Sequence, residues 1–346
     1  MKLFIKIILI LIVFFKTGNL LSDNNLFNVN NILLEEKENT SSKQLANQAI
    51  KKAFKKLTER VLLKEDKPKV LNLNFSEIKE LVAYYNISKN SEDEKDKKSF
   101  SVTFDKDKIH DLFYKRGISY SDVNDKEFYI LPIELNENEI FVFSNNYFYK
   151  NWIKNSEEEL IEFILPLENI EIIQNVNRSK IDLLDLDLNI LFKGYLNKNI
   201  ALVLIDKNYK GDKKVYIKTR IQDKIISKNI NFKKNDIKEK EFNEKIILAA
   251  KDEITNLVKS QNLIDIRTPS FINVKFNLDK KNNLVLLNSK IRNIDLIENI
   301  FVQEFNKDYV NLKIKYLGKL EKIIIELRNQ EISLQLINDQ WFIKTL

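Results

Sequence analysis

The longest uninterrupted apolar run lies near the start. Residues 7–15 read Ile-Ile-Leu-Ile-Leu-Ile-Val-Phe-Phe; Lys2 and Lys6 precede them, and Lys16, Thr17, Gly18 and Asn19 end them. A basic head before a short apolar core is the pattern of a secretory leader. A spanning helix needs about 20 apolar residues, more than this run supplies. The pattern predicts a signal peptide over residues 1–22, ending at Ser22. The alternative is an inner-membrane anchor formed by residues 3–15, with the bulk of the chain exported.

Beyond the leader the periodicity changes repeatedly between that of helix and that of strand, which divides the chain into residues 23–124, 125–264 and 265–346. In the first part, residues 26–34 have strand character. Ser41 or Ser42 then caps a helix on which Ala46, Ala49, Ala53, Leu57 and Val61 recur at helical spacing. Residues 74–85 read as a second helix, with Asn74 and Glu77 in capping-box positions. Residues 85–88 and 99–104 read as a hairpin, with the charged run 92–98 as a solvated loop between them. Residues 105–116 form a helix ended by Gly117.

In the middle part, residues 128–135 form an apolar strand that holds Pro132, followed by a strand at 140–143. Ser156 caps a predicted helix through Leu165, with Glu157, Glu158 and Glu159 in its first turn. Residues 170–173 read as a short strand. Residues 200–205 are wholly apolar, as a central buried strand requires. Val215, Ile217, Thr219 and Ile221 alternate, and residues 241–259 form a long amphipathic helix.

The last part reads as strand 271–278, helix 284–291, antiparallel strands 297–305 and 309–316, helix 319–329, and a hairpin of 332–337 with 341–343 turning at Asn338 and Asp339. The fold class predicted is α+β: serial small α/β sandwich units, the last a ferredoxin-like β-α-β-β-α-β-β unit.

Composition narrows the chemistry more than it suggests any. Hydrophobic residues are 44% and charged residues 31% of the 346, enough apolar content for packed cores. Cysteine is absent, which excludes disulfides, thiolate nucleophiles and cysteine zinc sites. Five glycines, spread apart, leave no phosphate-cradling loop. His110 is the one histidine, so a triad or multi-histidine metal site has almost no basis. Asp185, Asp187 and Asn189 begin like a calcium loop, but Ile190 and Leu196 occupy its glycine and glutamate positions. We therefore expect no metal and no cofactor. The net charge of +7 comes from lysines interspersed with acids along the chain, not from one basic block.

The candidate contact residues are Tyr147 and Tyr149. Four aromatics, Tyr147, Phe148, Tyr149 and Trp152, fall within six residues. On a helix Phe148 and Trp152 share a face at i, i+4, so they are expected to be buried, leaving Tyr147 or Tyr149 for a partner.

The alanine helix Leu-Ala-Asn-Gln-Ala-Ile-Lys-Lys-Ala-Phe-Lys-Lys-Leu-Thr-Glu-Arg-Val, followed by residues 99–117, resembles the exported bacterial family known as domain of unknown function number two thousand and sixty-six. The segment 130–152, with Phe143-Ser144-Asn145-Asn146 and Trp152, is similar, as is the ending with Tyr316, Gly318 and Trp341. The resemblance implies an exported envelope protein without assigned activity. The function expected is a periplasmic, non-enzymatic binding or scaffold protein with an envelope or membrane-associated partner. Membrane contact is expected only if the leader is kept. The alternative is an envelope hydrolase using carboxylates or a Ser-Lys pair. No nucleic-acid partner is expected, because the leader opposes it; a lysine-rich face with stacked aromatics would reopen the question.

Overall fold

The computed structural model describes residues 26–35, 40–89, 97–123, 126–136, 139–153, 160–179, 183–207, 211–234, 236–278 and 284–346. The leader, the run 90–96 and the residues Ser156, Glu157, Glu158 and Glu159 lie outside them. Helix and strand are nearly balanced at 37% and 38% over several small sheets, so the chain is α+β, as the periodicity predicts.

The first stretch holds β1 (Asn28–Glu35), α1 (Ser42–Val61), α2 (Phe75–Glu80), β2 (Val82–Lys89), β3 (Lys97–Phe104), α3 (Lys106–Lys115) and the short β4 (Tyr120–Ser121). The middle holds β5 (Glu127–Asn136), β6 (Glu139–Val142), α4 (Tyr147–Asn151), β7 (Glu162–Ile164), α5 (Ile170–Arg178), α6 (Leu188–Leu191), β8 (Asn199–Lys207), β9 (Lys213–Ile221), β10 (Lys224–Phe232) and α7 (Glu239–Gln261). The last stretch holds β11 (Leu263–Ile264), β12 (Ser270–Asn277), α8 (Leu284–Ile291), β13 (Ile297–Phe305), β14 (Tyr309–Tyr316), α9 (Leu320–Asn329), β15 (Ile332–Ile337) and β16 (Gln340–Thr345). These fall into two compact units. One takes the chain up to Glu59, Asp66–Ser119 and Ile264–Leu346; the other takes Arg60–Glu65 and Tyr120–Leu263.

In the first unit, β1, β3 and β2 form an antiparallel sheet with β3 central. Ser41 opens α1: its hydroxyl accepts from the Gln44 N–H, and the Gln44 side chain accepts from the Ser41 N–H, a reciprocal cap. The stripe Ala46, Ala49, Ala53, Leu57 and Val61 is buried, and Phe54 meets Phe104 of β3 edge to face at 5.9 Å. Small side chains on that stripe let the helix approach the sheet closely. The helix expected over 74–85 is shorter. Asn74 and Glu77 make the capping box, but α2 stops at Glu80 and the chain enters β2. Val82, Tyr84 and Tyr85 favour strand, and the ladder to β3 completes their backbone bonds.

The other sheet of this unit has the order β13-β14-β12-β16-β15. The element order is the β-α-β-β-α-β-β expected. β12 pairs antiparallel with β14 and parallel with β16, so the final strand lies between β12 and β15. The hairpin turn at Asn338 and Asp339 has φ of 47° and 62°, the left-handed pair a tight two-residue turn demands. Ile272, Val274, Phe276, Val310, Leu312 and Ile314 are buried on one face, and α8 and α9 contribute Leu287, Ile291, Ile323 and Leu327 to the buried set. α8 lies against β16 and α9 against β15.

In the second unit a sheet of order β10-β9-β8-β5-β6, with β7 also on β5, carries helices on both faces. Phe128, Ile130, Ala201, Val203, Ile205, Val215 and Ile217 face α7 and the α4 segment. Leu131, Ile133, Ile200, Leu202 and Leu204 face α5 and α6. β8 is therefore buried on both sides, which is why its sequence has no polar alternation. Pro132 sits inside β5 at no cost to the ladder. On that edge β7 pairs with Glu127–Tyr129 and β6 with residues 133–136, so the missing N–H falls between the two partners. The Pro132 carbonyl accepts from the Asn146 side chain at 2.9 Å.

Two elements here correct the sequence reading. Residues 162–164, expected to end a helix, form β7 and pair parallel with β5. Residues 170–173, expected as a strand, begin α5: Asn169 caps it, and Ile172 and Val176 bury one turn apart.

Candidate binding face

The side of the last sheet turned away from its buried core collects the polar residues that alternate with that core. Successive side chains on a strand point to opposite faces. Where Ile272, Val274 and Phe276 go in, Phe271, Asn273, Lys275 and Asn277 go out; where Val310, Leu312 and Ile314 go in, Tyr309, Asn311, Lys313 and Lys315 go out.

The register sets these in rows. Asn299, Lys315 and Phe271 lie side by side, then Phe301, Lys313 and Asn273, then Glu304, Asn311, Lys275, Phe342 and Gln335. Each row has an ammonium, an aromatic ring and a carboxamide. Successive rows are about 6.7 Å apart, two residues of strand. Lys344 lies on the same face two residues beyond Phe342.

The lysines are held at defined places. Lys313 Nζ stands 4.5 Å from the Phe271 ring centroid and Lys275 Nζ 3.8 Å from that of Tyr309, both diagonal neighbours across β12 and β14. Lys315 pairs with Glu298 at 2.7 Å. Glu304 accepts from the Tyr309 hydroxyl at 2.9 Å and from Asn311 at 2.7 Å, and this bond raises the Tyr309 pKa. Phe271 and Phe301 are 50% and 47% exposed, unusual for phenylalanine on a sheet face. Neither Phe301 nor Phe342 has a ring or cation partner among the described residues.

The tyrosines named from sequence lie elsewhere, on α4. Phe148 and Trp152 are fully buried, as their spacing requires. Tyr147 and Tyr149 are each half-buried and lie against opposite cores of the sheet. Tyr149 meets Phe143 edge to face at 5.4 Å and donates its hydroxyl to the Pro166 carbonyl at 2.6 Å. Tyr147 meets Phe148 edge to face, and its hydroxyl is buried without a hydrogen-bond partner among the described residues. Burial raises the pKa of both. The structure therefore does not bring them together as one contact surface.

A buried ionic cluster in the second unit has no signature in sequence. Lys213, with its side chain 1% exposed, bonds to Asn243 Oδ1 at 2.6 Å and Glu239 at 3.0 Å, with Glu134 at 3.8 Å. Its ammonium also lies 5.0 Å from the Phe148 ring centroid. Lys234 reaches Glu239 at 2.5 Å. Burial pushes Glu134 above its ordinary pKa, only partly offset by Lys213 and Lys207. Burial also pushes Glu239 up, but bonds from Lys234 and Lys213 outweigh it and hold Glu239 at about 2. The two carboxylates thus diverge, with the lysine between them.

The remaining candidates are structural. Asp187 caps α6 by accepting from the Asn189 N–H at 2.8 Å, and Asn189 accepts from Arg220, so the apparent start of a calcium loop is a helix start. Among the described residues no cluster of three or more acids or histidines is placed to hold a metal. No described helix is long and apolar enough to cross a membrane. Comparison of the chain with models of known families, with curated proteins and with solved structures gives no match.

Proposed function

We propose that the chain is an exported envelope protein that works by binding, with the open face of its last sheet as the binding surface. The observation that carries the reading is the pair of half-exposed phenylalanines, Phe271 and Phe301, set among Lys275, Lys313 and Asn273 on the face turned away from the sheet's core. A solvent-only face would hold short polar residues there, because an exposed phenylalanine gains nothing from water. Export rests on the pattern of residues 1–22 and on the resemblance to the exported family. Osmotic-shock fractionation with amino-terminal sequencing tests it: release of a chain beginning near Asp23 is expected. A chain still starting at Met1 and sedimenting with membranes establishes the anchor. A cytoplasmic chain ends the reading.

The hydrolase alternative keeps one observation in its favour, the divergent pair Glu134 and Glu239. Lys213 occupies the space between them, so we take the pair as a structural ion cluster. A hydrolytic activity abolished by Glu134→Gln in a folded protein would favour the enzyme.

A further inference from the structure

We propose that the open face of the last sheet takes an acidic polysaccharide strand, with its carboxylates on Lys275, Lys313 and Lys344 and the C–H faces of its sugar rings on Phe301 and Phe342. The inference rests on the binding role given above and names its ligand.

Three features select this occupant. The first is charge: on this face the lysines outnumber the acids, Glu298 and Glu304, and both acids are already engaged within the sheet. The second is repetition. Ring, ammonium and carboxamide recur row by row along the strands, which suits a polymer that repeats a ring, a carboxylate and hydroxyls. Sugar C–H groups carry slight positive charge and pack on the negative face of an aromatic ring. Asparagine and glutamine amides both donate to and accept from hydroxyls.

The third feature separates a glycan from a nucleic acid, although this is the lysine-rich aromatic face that would reopen that question. Single-stranded nucleic acids are held by base stacking on uncovered aromatic faces. Here Phe271 and Tyr309 each have one face taken by an ammonium, at 4.5 and 3.8 Å. Those rings hold lysines in place, and the two uncovered rings, Phe301 and Phe342, stand on β13 and β16, three strands or about 14 Å apart, too far for successive stacked bases. The carboxylates of a glycan use the lysines where they stand.

The test is fluorescence anisotropy of the purified chain with labelled oligogalacturonate, against neutral dextran, single-stranded (dT)20 and phosphatidylglycerol vesicles. We expect binding to oligogalacturonate that weakens with salt, as exposed ion pairs do, and none to dextran. The double variant Lys275→Ala, Lys313→Ala should lose about tenfold or more. Phe301→Ala should lose affinity without changing the salt dependence. Circular dichroism melts confirm that the variants are folded, and Lys275→Glu alone, which keeps a long side chain, repeats the charge test. Tighter binding of (dT)20 or of vesicles, affinity indifferent to these substitutions, or no binding to oligogalacturonate each overturns the proposal. None of these outcomes bears on export, which the fractionation decides separately.

Discussion

His110 is the one histidine of the chain, so its proton can be followed without assignment. Burial lowers its pKa to about 4; Lys106 pushes the same way, and Glu298 and Asp107 pull it back. Its ring meets Phe27 edge to face at 5.5 Å. The folded state therefore favours the neutral ring. That contribution to stability is complete above pH 6.5 and is lost as pH falls through about 4. A proton NMR titration should give a midpoint near 4 in the folded protein and near 6.5 in urea. Equal midpoints would mean that the ring is not buried. Lys213 offers a sharper case. Removing it leaves Asn243 without its donor and Glu134 without its nearest cation, while Glu239 keeps Lys234, so Lys213→Ala should cost about 1–3 kcal/mol in urea unfolding. The cluster also gives acid sensitivity of a defined sign. Glu239, depressed to about 2, contributes above its ordinary pKa and loses that contribution as pH falls toward 2. Glu134, raised by burial, acts oppositely and loses stability as pH rises through its pKa.

At the scale of elements, the α4 corner shows how one side chain replaces a strand. Asn146 is fully buried; its Nδ2 donates to the Pro132 and Phe141 carbonyls, and its Oδ1 caps α4 by accepting from the Phe148 N–H. Asn146→Ala should cost about 2–4 kcal/mol, a lost cap plus carbonyls left without a donor. Asn146→Asp, which keeps the cap but sets a buried carboxylate oxygen against the two carbonyls, should cost at least as much. Trp152→Ala should cost about 3–5 kcal/mol, as burial of a large ring implies. Tyr149→Phe should cost only about 1 kcal/mol, the bond to Pro166. A chemical-denaturation series ranks all four. Elements whose partners are local, such as α1 with its cap and alanine stripe or the β15–β16 turn, could be read directly from sequence. β7, α5 and the first half of β2 could not, whereas residues 85–88 pair with β3 as the hairpin reading expects. The apolar spacing of Leu81, Tyr84 and Tyr85 also fits a helix, and only the ladder to β3 decides otherwise. Residues 162–164 become a strand because β5 lends them one edge, a pairing no local pattern reports.

At the scale of the whole molecule, the binding face was half legible. Alternation in Phe-Ile-Asn-Val-Lys-Phe-Asn and Tyr-Val-Asn-Leu-Lys-Ile-Lys separates the inner from the outer residues. It does not say that Lys313 meets Phe271 or that Phe301 lies beside Lys313, because register is set between strands distant in sequence. The Lys213 cluster was not legible at all, since Glu134, Lys213 and Glu239 lie on three elements. The same distance in sequence shapes the first unit, whose amino-terminal and carboxy-terminal segments meet: Lys106 donates to the Asp295 carbonyl, and Glu298 lies close enough to His110 to raise its pKa. A chain ending at Leu263 removes the last sheet and keeps every residue of the second unit. It also removes Trp341, so Trp152 alone reports by fluorescence. We expect Trp152 to keep a buried emission and a cooperative urea transition, because its core is made within residues 123–258. We expect the His110 midpoint to move away from about 4, because Glu298, whose charge raises it, leaves with the missing segment. A red-shifted Trp152 before any urea is added would show that the second unit depends on the first. A His110 midpoint that stays near 4 would show that β1, α1, β2, β3 and α3 bury the ring by themselves.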